Sequence, residues 1–282
     1  MDNTADKCGT LTLVGTPIGN LGDISPRALD ALRECDFIAA EDTRVTLKLL
    51  NHFDIKKPLM SYHQHNKGDS GERILERLKA GESCCLVSDA GMPAISDPGE
   101  DMVALCREHD VPVTCCPGPS AVTMALAISG LPTGRFTFEG FLSVSRPSRT
   151  EHLAQLVGER RTMVFYEAPH KLRATLRDLR DTLGADRRIA VVRELTKIHE
   201  EVVRTTIGEA YDMYRENPPL GEIVLIIEGA PKPPKETATV DEAAEIARGY
   251  MADGESASEA AKRAAKETGI KKSEIYRIIT GA

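Results

Sequence analysis

Short apolar and polar blocks alternate along the first part of the chain in a pattern that predicts strand, helix, strand, helix. Thr10–Gly15 is a brief apolar run, and Ser25-Pro26 offers an N-cap and a first-turn proline for a helix through Arg33. Further strands are predicted at Asp36–Ala40, Pro58–His63, Cys84–Ser88 and Val111–Cys116. Helices at Thr43–Phe53, Asp69–Ala80 and Glu100–His109 fall between them, the second with Ile74, Leu75 and Leu78 on one face. Five strands interleaved with helices predict a mostly parallel sheet covered on both faces.

After Pro117-Gly118-Pro119 the pattern changes. A helix over Ala121–Ser129 precedes strands at Arg135–Gly140, Thr162–Tyr166, Arg188–Glu194, Glu201–Thr206 and Glu222–Glu228. Helices are predicted near Thr150–Val157, Lys171–Leu183 and Glu209–Arg215. Because several of these strands follow one another without a full helix between them, a mixed sheet in a second α/β domain is expected. Pro231-Lys232-Pro233-Pro234-Lys235 reads as a linker, since successive prolines continue neither sheet nor helix. Beyond it, Asp241–Met251, Ser256–Thr268 and Lys272–Ile279 read as amphipathic helices. Ser256 with Glu259 has capping-box spacing, and Gly269 suits a left-handed turn between the last two helices. That is the layout of a helix-turn-helix; a small bundle that stabilises the body or a dimer fits it equally. The expected domains are therefore 1–118, 119–230, a linker at 231–239, and a helical module at 240–282.

The 282 residues suffice for two ordinary domains and a substantial core. No apolar run approaches the ~18–20 residues that a bilayer span needs, and Met1-Asp2-Asn3-Thr4 lacks a signal-peptide core, so a soluble cytoplasmic protein with no membrane association is expected. The net charge of -7 argues against a generally cationic nucleic-acid coat. That acidity lies wholly in residues 1–140, with 13 basic and 20 acidic side chains, whereas 141–282 is balanced. Within the balanced half, Ser143–Arg180 carries eight Lys/Arg against four acids, and Lys262–Arg277 carries six against two. Each is a set of solvated helix faces or a surface for a polyanion. The seven cysteines sit in or beside apolar runs with no C-x-x-C spacing, as buried thiols do. On strands, the doublets Cys84-Cys85 and Cys115-Cys116 would face opposite ways, so no metal is expected.

Three glycine-rich turns carry the main chemical interest. Gly15-Thr16-Pro17-Ile18-Gly19-Asn20 follows the first strand at the carboxyl edge, where open α/β sheets bind ligands, yet it matches neither the dinucleotide fingerprint nor the P-loop. Ser88–Gly99 places two Gly, two Pro and two Asp between a buried strand and a helix. Pro117-Gly118-Pro119-Ser120-Ala121 closes the fifth strand. Three such loops on one edge, facing a second domain, describe a cleft.

These loops resemble those of the class III S-adenosylmethionine (SAM) methyltransferases, the tetrapyrrole methylase fold. Ala40-Glu41-Asp42-Thr43-Arg44, Ser61-Tyr62-His63-Gln64-His65-Asn66, Phe165-Tyr166-Glu167-Ala168-Pro169-His170, Arg193-Glu194-Leu195-Thr196-Lys197 with His199-Glu200-Glu201, and Gly221-Glu222-Ile223-Val224 are more narrowly similar to the bacterial RsmI family. Members of that family methylate the ribose 2'-oxygen of a decoding-centre cytidine in 16S ribosomal RNA. The likeness runs from about Leu11 to Gly229, and a module like Val240–Ala282 is also typical. It implies two α/β domains with SAM in the cleft between them, a homodimer, and the small ribosomal subunit as partner. Carried over by position, the implied SAM contacts are Pro17, Ser88, Asp89, Ala90, Gly91, Ile95, Ser120, Ala121, Tyr166 and Leu195. Strand-end packing is the competing explanation for the last two.

Displacing the SAM methyl by a ribose hydroxyl requires alignment of that hydroxyl and removal of its proton. Candidate groups are Glu41, Arg44, His63 and His65, with Asp42 and Asn66 beside them. Arg44 is suited to a flanking phosphate, and His63 and His65 would share a face if they lay on a strand. Glu167, His170 and Glu194 are weaker candidates at second-domain strand ends. Arg146, Arg149, Arg160, Arg161 and the basic C-terminal helices are expected to meet RNA phosphates. Two other functions stay open: a class III methyltransferase for a tetrapyrrole or corrin precursor or a protein side chain, and a non-enzymatic nucleic-acid-binding helix-turn-helix protein. The first leaves the Glu41–Arg44 and His63–Asn66 motifs unused; the second leaves the glycine-rich loops unexplained.

Overall fold

The computed structural model describes residues 8–217, 219–232 and 238–281. Contacts divide it into two compact units, one through Ala230 and one from Pro231. Part of the proline-rich linker, residues 233–237, and the polar start at 1–7 lie outside the described residues.

The first sheet contains β1 (Leu11–Val14), β2 (Phe37–Ala40), β3 (Leu59–Ser61), β4 (Cys84–Val87) and β5 (Val113–Cys116), in the order β3-β2-β4-β1-β5. Every neighbouring pair is parallel. Helices α1 (Pro26–Glu34), α2 (Thr43–His52), α3 (Lys67–Lys79) and α4 (Gly99–Glu108) make the crossovers. β2 and β4 are buried at every position, as strands covered on both faces must be. Their side chains feed two cores. Leu11, Phe37 and Cys84 pack with α3 and α4 on one side, and Val14, Ile38 and Cys85 with α1 and α2 on the other. The doublet Cys84-Cys85 thus splits between the two faces, while Cys115 is exposed and Cys116 buried.

Helix α5 (Ala121–Ile128) leads into the second sheet, formed by β6 (Phe136–Phe141), β7 (Thr162–Glu167), β8 (Arg188–Arg193), β9 (Glu201–Thr206) and β10 (Ile223–Ile227). Its order is β6-β7-β10-β8-β9; β6 and β7 are parallel and the other pairs antiparallel, giving the expected mixed sheet. Helices α6 (Arg146–Gln155), α7 (Leu172–Leu183) and α8 (Ile207–Glu216) accompany it. Leu172, Leu176 and Leu179 of α7 join Met163, Phe165 and Leu225 in one core. The opposite face, with Val164, Val192 and Val224, packs against Val122, Ala125, Leu126 and Ile18.

Several boundaries differ from expectation. α6 begins at Arg146 rather than near Thr150, because Ser145 takes the N-cap position and Pro147 the first turn. α3 begins at Lys67. β3 stops at Ser61, so His63 and His65 lie in a turn and not on a strand.

The second unit contains α9 (Val240–Ala252), α10 (Ala257–Thr268) and α11 (Lys272–Thr280). Ala243, Ala247, Ala260, Ala261 and Ala264 form most of its core with Ile275, small side chains that let the helices approach closely. Gly269 ends α10 with φ 77°, a conformation costly for residues with a Cβ. Ser256 does cap α10, accepting the Glu259 N–H, but the Glu259 carboxylate accepts from the Ser256 hydroxyl instead of from the Ser256 backbone N–H. The reciprocal capping box forms at Thr239 with Glu242.

Candidate functional site

All three glycine-rich loops leave the carboxyl edge of the first sheet, and they are joined to one another. Thr16 N–H donates to Gly91 O at 2.9 Å and Gly91 N–H to Thr16 O at 3.1 Å. The Thr16 hydroxyl, buried beneath this bridge, meets the Ser88 and Gly91 carbonyls at 3.3 and 3.4 Å. Gly15 and Gly118 pack backbone against backbone: a Cβ on Gly118 would stand 2.7 Å from Gly15 Cα.

The second loop is strained. Ala94 and Ser96 have φ of 68° and 64°, the left-handed region that disfavours a Cβ. Asp97 compensates, its Oδ1 accepting N–H from both Ala94 and Gly99 at 2.8 Å. Burial nonetheless raises the Asp97 carboxyl above the ordinary aspartate value. A matching feature faces it from the second sheet, where Glu194 and Thr196 have φ of 53° and 65°. There Lys197 Nζ bridges Glu194 and Glu222 at 2.9 and 3.2 Å, and the Glu222 N–H donates to Glu194 at 3.0 Å. The Lys197 hydrogen bond holds Glu194 below the usual glutamate range.

A cavity of about 450 Å³ lies between these two sets of loops. Ile18, Val192, Leu195, Ile223 and Val224 give it apolar walls, and Glu41, Asp89 and Asp97 bring carboxylates to it. Nine of the ten residues expected to hold a cofactor line it: Ser88, Asp89, Ala90, Gly91, Ile95, Ser120, Ala121, Tyr166 and Leu195. Pro17 does not. The Thr16 bridge turns Ile18 inward instead, its Cγ2 3.3 Å from where a Gly91 Cβ would be.

Of the four candidate catalytic side chains, Glu41 lines the cavity, whereas Arg44, His63 and His65 do not. Glu41 follows the last residue of β2; burial, then the charges of Asp89 and Asp97, push its carboxyl above the ordinary value. Asp89 also braces this corner, accepting the Asp42 N–H at 2.9 Å. Arg44 points to solvent with its side chain 87% exposed and forks onto Asp42, Nη2 to Oδ2 at 2.6 Å and Nε to Oδ1 at 3.0 Å. His63 N–H donates to Asn66 Oδ1 at 2.8 Å, and His63 Nδ1 accepts the His65 N–H at 3.2 Å. The two rings therefore form a turn beside the site, with no shared strand face.

Phe141 is a cavity residue that sequence periodicity misses. A bulge between Phe138 and Gly140 pairs Phe138 with Val164 and Phe141 with Tyr166, so Phe138 and Phe141 share a face although they stand three positions apart. Both rings contact Tyr166, with centroids 5.0 and 5.5 Å away. Gly140 at φ 63° is the local marker of the bulge. Asp97 was in view only as part of its loop; its anchoring role depends on the fold of the loop around it.

The expected basic surface is thinner than its sequence. Arg149 is largely enclosed, bonding Asp178 at 2.7 Å and the Thr175 hydroxyl at 2.8 Å, and Thr175 in turn donates to buried Glu167. Arg161 forks onto Glu159. Arg146 and Arg160 remain exposed without an ion pair among the described residues. Arg149→Ala should lower stability by about 1–3 kcal/mol by leaving Asp178 and Thr175 short of a donor, checked by urea unfolding; an unchanged midpoint would return Arg149 to the surface set. Among the described residues no group of three His, Cys, Asp or Glu is arranged to hold a metal, and no helix is long and apolar enough to cross a membrane.

Comparison with known proteins agrees with this architecture. The family model for tetrapyrrole (corrin/porphyrin) methylases matches residues 10–211. The ribosomal RNA small subunit methyltransferase I of Synechocystis is 46% identical over 270 residues, 96% of this chain and 97% of that protein. The protein of that name from Thermotoga maritima is 48% identical over 221 residues, 78% of this chain and 99% of its own length. Among solved structures, a uroporphyrin-III C-methyltransferase from Thermus thermophilus complexed with S-adenyl homocysteine shares the fold, with a TM-score of 0.54 at 19% identity, covering 77% of this chain and 97% of that one.

Proposed function

The chain belongs to the tetrapyrrole (corrin/porphyrin) methylase family, among the ribosomal RNA small subunit methyltransferase I proteins, and from that premise we propose that it uses SAM to methylate the ribose 2'-oxygen of a decoding-centre cytidine in 16S ribosomal RNA. The observation that carries this reading is the 450 Å³ cavity, in which three loops of one sheet edge converge on carboxylates. Its volume falls within the ~300–1,000 Å³ of small-molecule sites.

The residues present suit SAM. Ile18, Val192 and Leu195 offer apolar walls to an adenine ring, and Phe141 stands at the same cavity. Glu41, Asp89 and Asp97 supply negative charge to a sulfonium and an ammonium. Gly91, with φ 86° and Ile18 and the Pro119 carbonyl close to its missing Cβ, lets backbone approach a ligand where a side chain would not fit. When bound, SAM supplies an electrophilic methyl on a neutral leaving group. The protein's part is to align the acceptor hydroxyl and accept its proton.

In this reading residues 1–118 carry most of the SAM contacts, 119–230 complete the cleft, and the helical module 240–282 serves RNA or subunit contacts. Lys262, Lys266, Lys271 and Lys272 on or beside α10 and α11 give that module a cationic surface suited to phosphates. The protein is proposed to work as a homodimer in the cytoplasm, on the assembled small ribosomal subunit. Methyl-labelled SAM incubated with small subunits from cells lacking this protein should place label on a cytidine 2'-oxygen of 16S RNA. SAM binding with no label in that RNA would move the reading to another acceptor, and absence of SAM binding would end it.

A further inference from the structure

We propose that the Glu41 carboxylate is the general base that removes the proton of the acceptor hydroxyl. This rests on the methyl-transfer reading above and deepens it, because four side chains were candidates for that site and geometry separates them.

A base needs a free lone pair directed at the place of reaction. The other acidic groups at the cavity each hold a structural partner. Asp89 Oδ1 accepts the Asp42 N–H, and Asp97 Oδ1 accepts two backbone N–H groups. Glu167 is 5% exposed, with one oxygen on the Ala168 N–H at 2.8 Å and the other on the Thr175 hydroxyl. Glu222 pairs with Lys197 Nζ. His63 lies outside the lining, and its Nδ1 already accepts from His65 N–H at 3.2 Å. A neutral His63 ring therefore carries its proton on Nε2 and has no lone pair left to offer.

Among the described residues Glu41 takes part in no side-chain pair: no side chain donates to it or forms an ion pair with it, and the Asp89 backbone N–H is the one donor that faces it. It is half-buried at the carboxyl end of β2, a strand paired on both sides by β3 and β4, so its backbone is fixed while its carboxylate stays available.

The neighbourhood also strengthens it as a base. Burial raises its pKa, the Asp89 and Asp97 charges raise it further, and the Asp89 N–H and His63 oppose them. Glu167 and Glu222 add acidic groups from the second sheet's side of the cavity. In the reaction the 2'-oxygen forms its bond to the methyl carbon as the carbon–sulfur bond breaks with its electron pair retained on sulfur. The hydroxyl proton passes to a Glu41 carboxylate oxygen and from there to water.

The test is single-turnover transfer from methyl-labelled SAM to small ribosomal subunits from cells lacking the protein, across about pH 5–8. Wild-type rate should rise with pH as Glu41 ionises and then level off. Glu41→Gln should lose about 10²–10⁴-fold in rate and lose that rise. Its SAM affinity by equilibrium dialysis should fall far less than its rate, by no more than about tenfold, since one of three carboxylates is neutralised while Asp89, Asp97 and the loops that form the cavity are untouched. Glu41→Asp, which keeps a carboxylate set back by one methylene, should be slower yet keep the pH-dependent limb.

A Glu41→Gln rate within about tenfold of wild type, or one that keeps the limb, overturns the assignment. So does a loss that saturating SAM restores, which would make Glu41 a binding residue only. Wild-type protein that binds SAM but labels no subunit RNA overturns the acceptor reading, and the base assignment to a ribose hydroxyl with it.

Discussion

Alanine at Gly118 should reduce SAM affinity by about 5- to 150-fold and destabilise the fold by about 1–3 kcal/mol, the usual cost of forcing extra volume into a packed place. The added Cβ would stand 2.7 Å from Gly15 Cα, 2.7 Å from its carbonyl oxygen and 2.8 Å from its carbonyl carbon. These are backbone atoms, and no rotamer change clears them. Gly15 has the reciprocal constraint, with Gly118 Cα 2.7 Å and Met92 Sδ 2.6 Å from its missing Cβ. One loop must therefore move off the other. Gly15 is bonded through its neighbour Thr16 to Gly91, and Gly118 precedes Ser120 and Ala121, so movement at either point displaces lining from all three loops. Calorimetric titration with SAM and urea unfolding on Gly118→Ala would measure both effects. Affinity within about threefold of wild type would mean that the loops relax independently and that the glycine pair serves the fold alone.

That glycine pair illustrates what the sequence could and could not reveal. The three loops stand out as glycine-rich turns at strand ends, and strand-helix alternation is enough to bring them to one edge. The distance between Gly15 and Gly118 is set by the strand order, in which β1 lies beside both β4 and β5. No periodicity encodes that order. Side chains from strand interiors were equally invisible: Val192 and Val224 read as ordinary buried positions, and only the meeting of the two sheets turns them toward a ligand cavity. Phe141 was hidden by one extra residue in β6, which shifts its face. His63 and His65 failed for the opposite reason. The apolar run through Pro58–Met60 suggested a longer strand, but Asn66 accepts the His63 N–H and its own amide bonds the Ser61 carbonyl at 3.1 Å, which closes the chain into a turn.

Charge followed the same division. Sequence placed the acidity correctly in the first half, and the structure gives part of it a purpose: Glu41, Asp89 and Asp97 converge on one cavity. Their mutual repulsion costs stability that the surrounding backbone N–H donors partly offset. A cationic ligand would remove that cost on binding, which ties the charge of the site to the charge expected of its cofactor.

Replacing Asp97 by alanine and by asparagine should give opposite results. Asp97→Ala leaves the Ala94 and Gly99 N–H groups without their acceptor and releases the left-handed turn at Ala94 and Ser96, a loss of about 2–4 kcal/mol for two such bonds with a charged acceptor. The loosened loop should weaken SAM binding as well. Asp97→Asn keeps an oxygen for both donors and removes a charge that burial disfavours, so it should match or exceed wild-type stability at neutral pH. The sign follows from linkage. Because the folded protein holds the Asp97 proton to higher pH than the unfolded chain, wild type loses stability as pH rises from the unfolded value of 3.8 through the raised folded one. Asparagine has no such titration, so its advantage should open across that window and then stay constant. With one negative neighbour gone, Glu41 should also ionise at lower pH, shifting the rising limb of methyl transfer downward. Urea unfolding of the two variants across that range, with the transfer profile of Asp97→Asn, measures all of this. Equal destabilisation by both substitutions would mean that the charge itself, and not the two accepted hydrogen bonds, holds the loop.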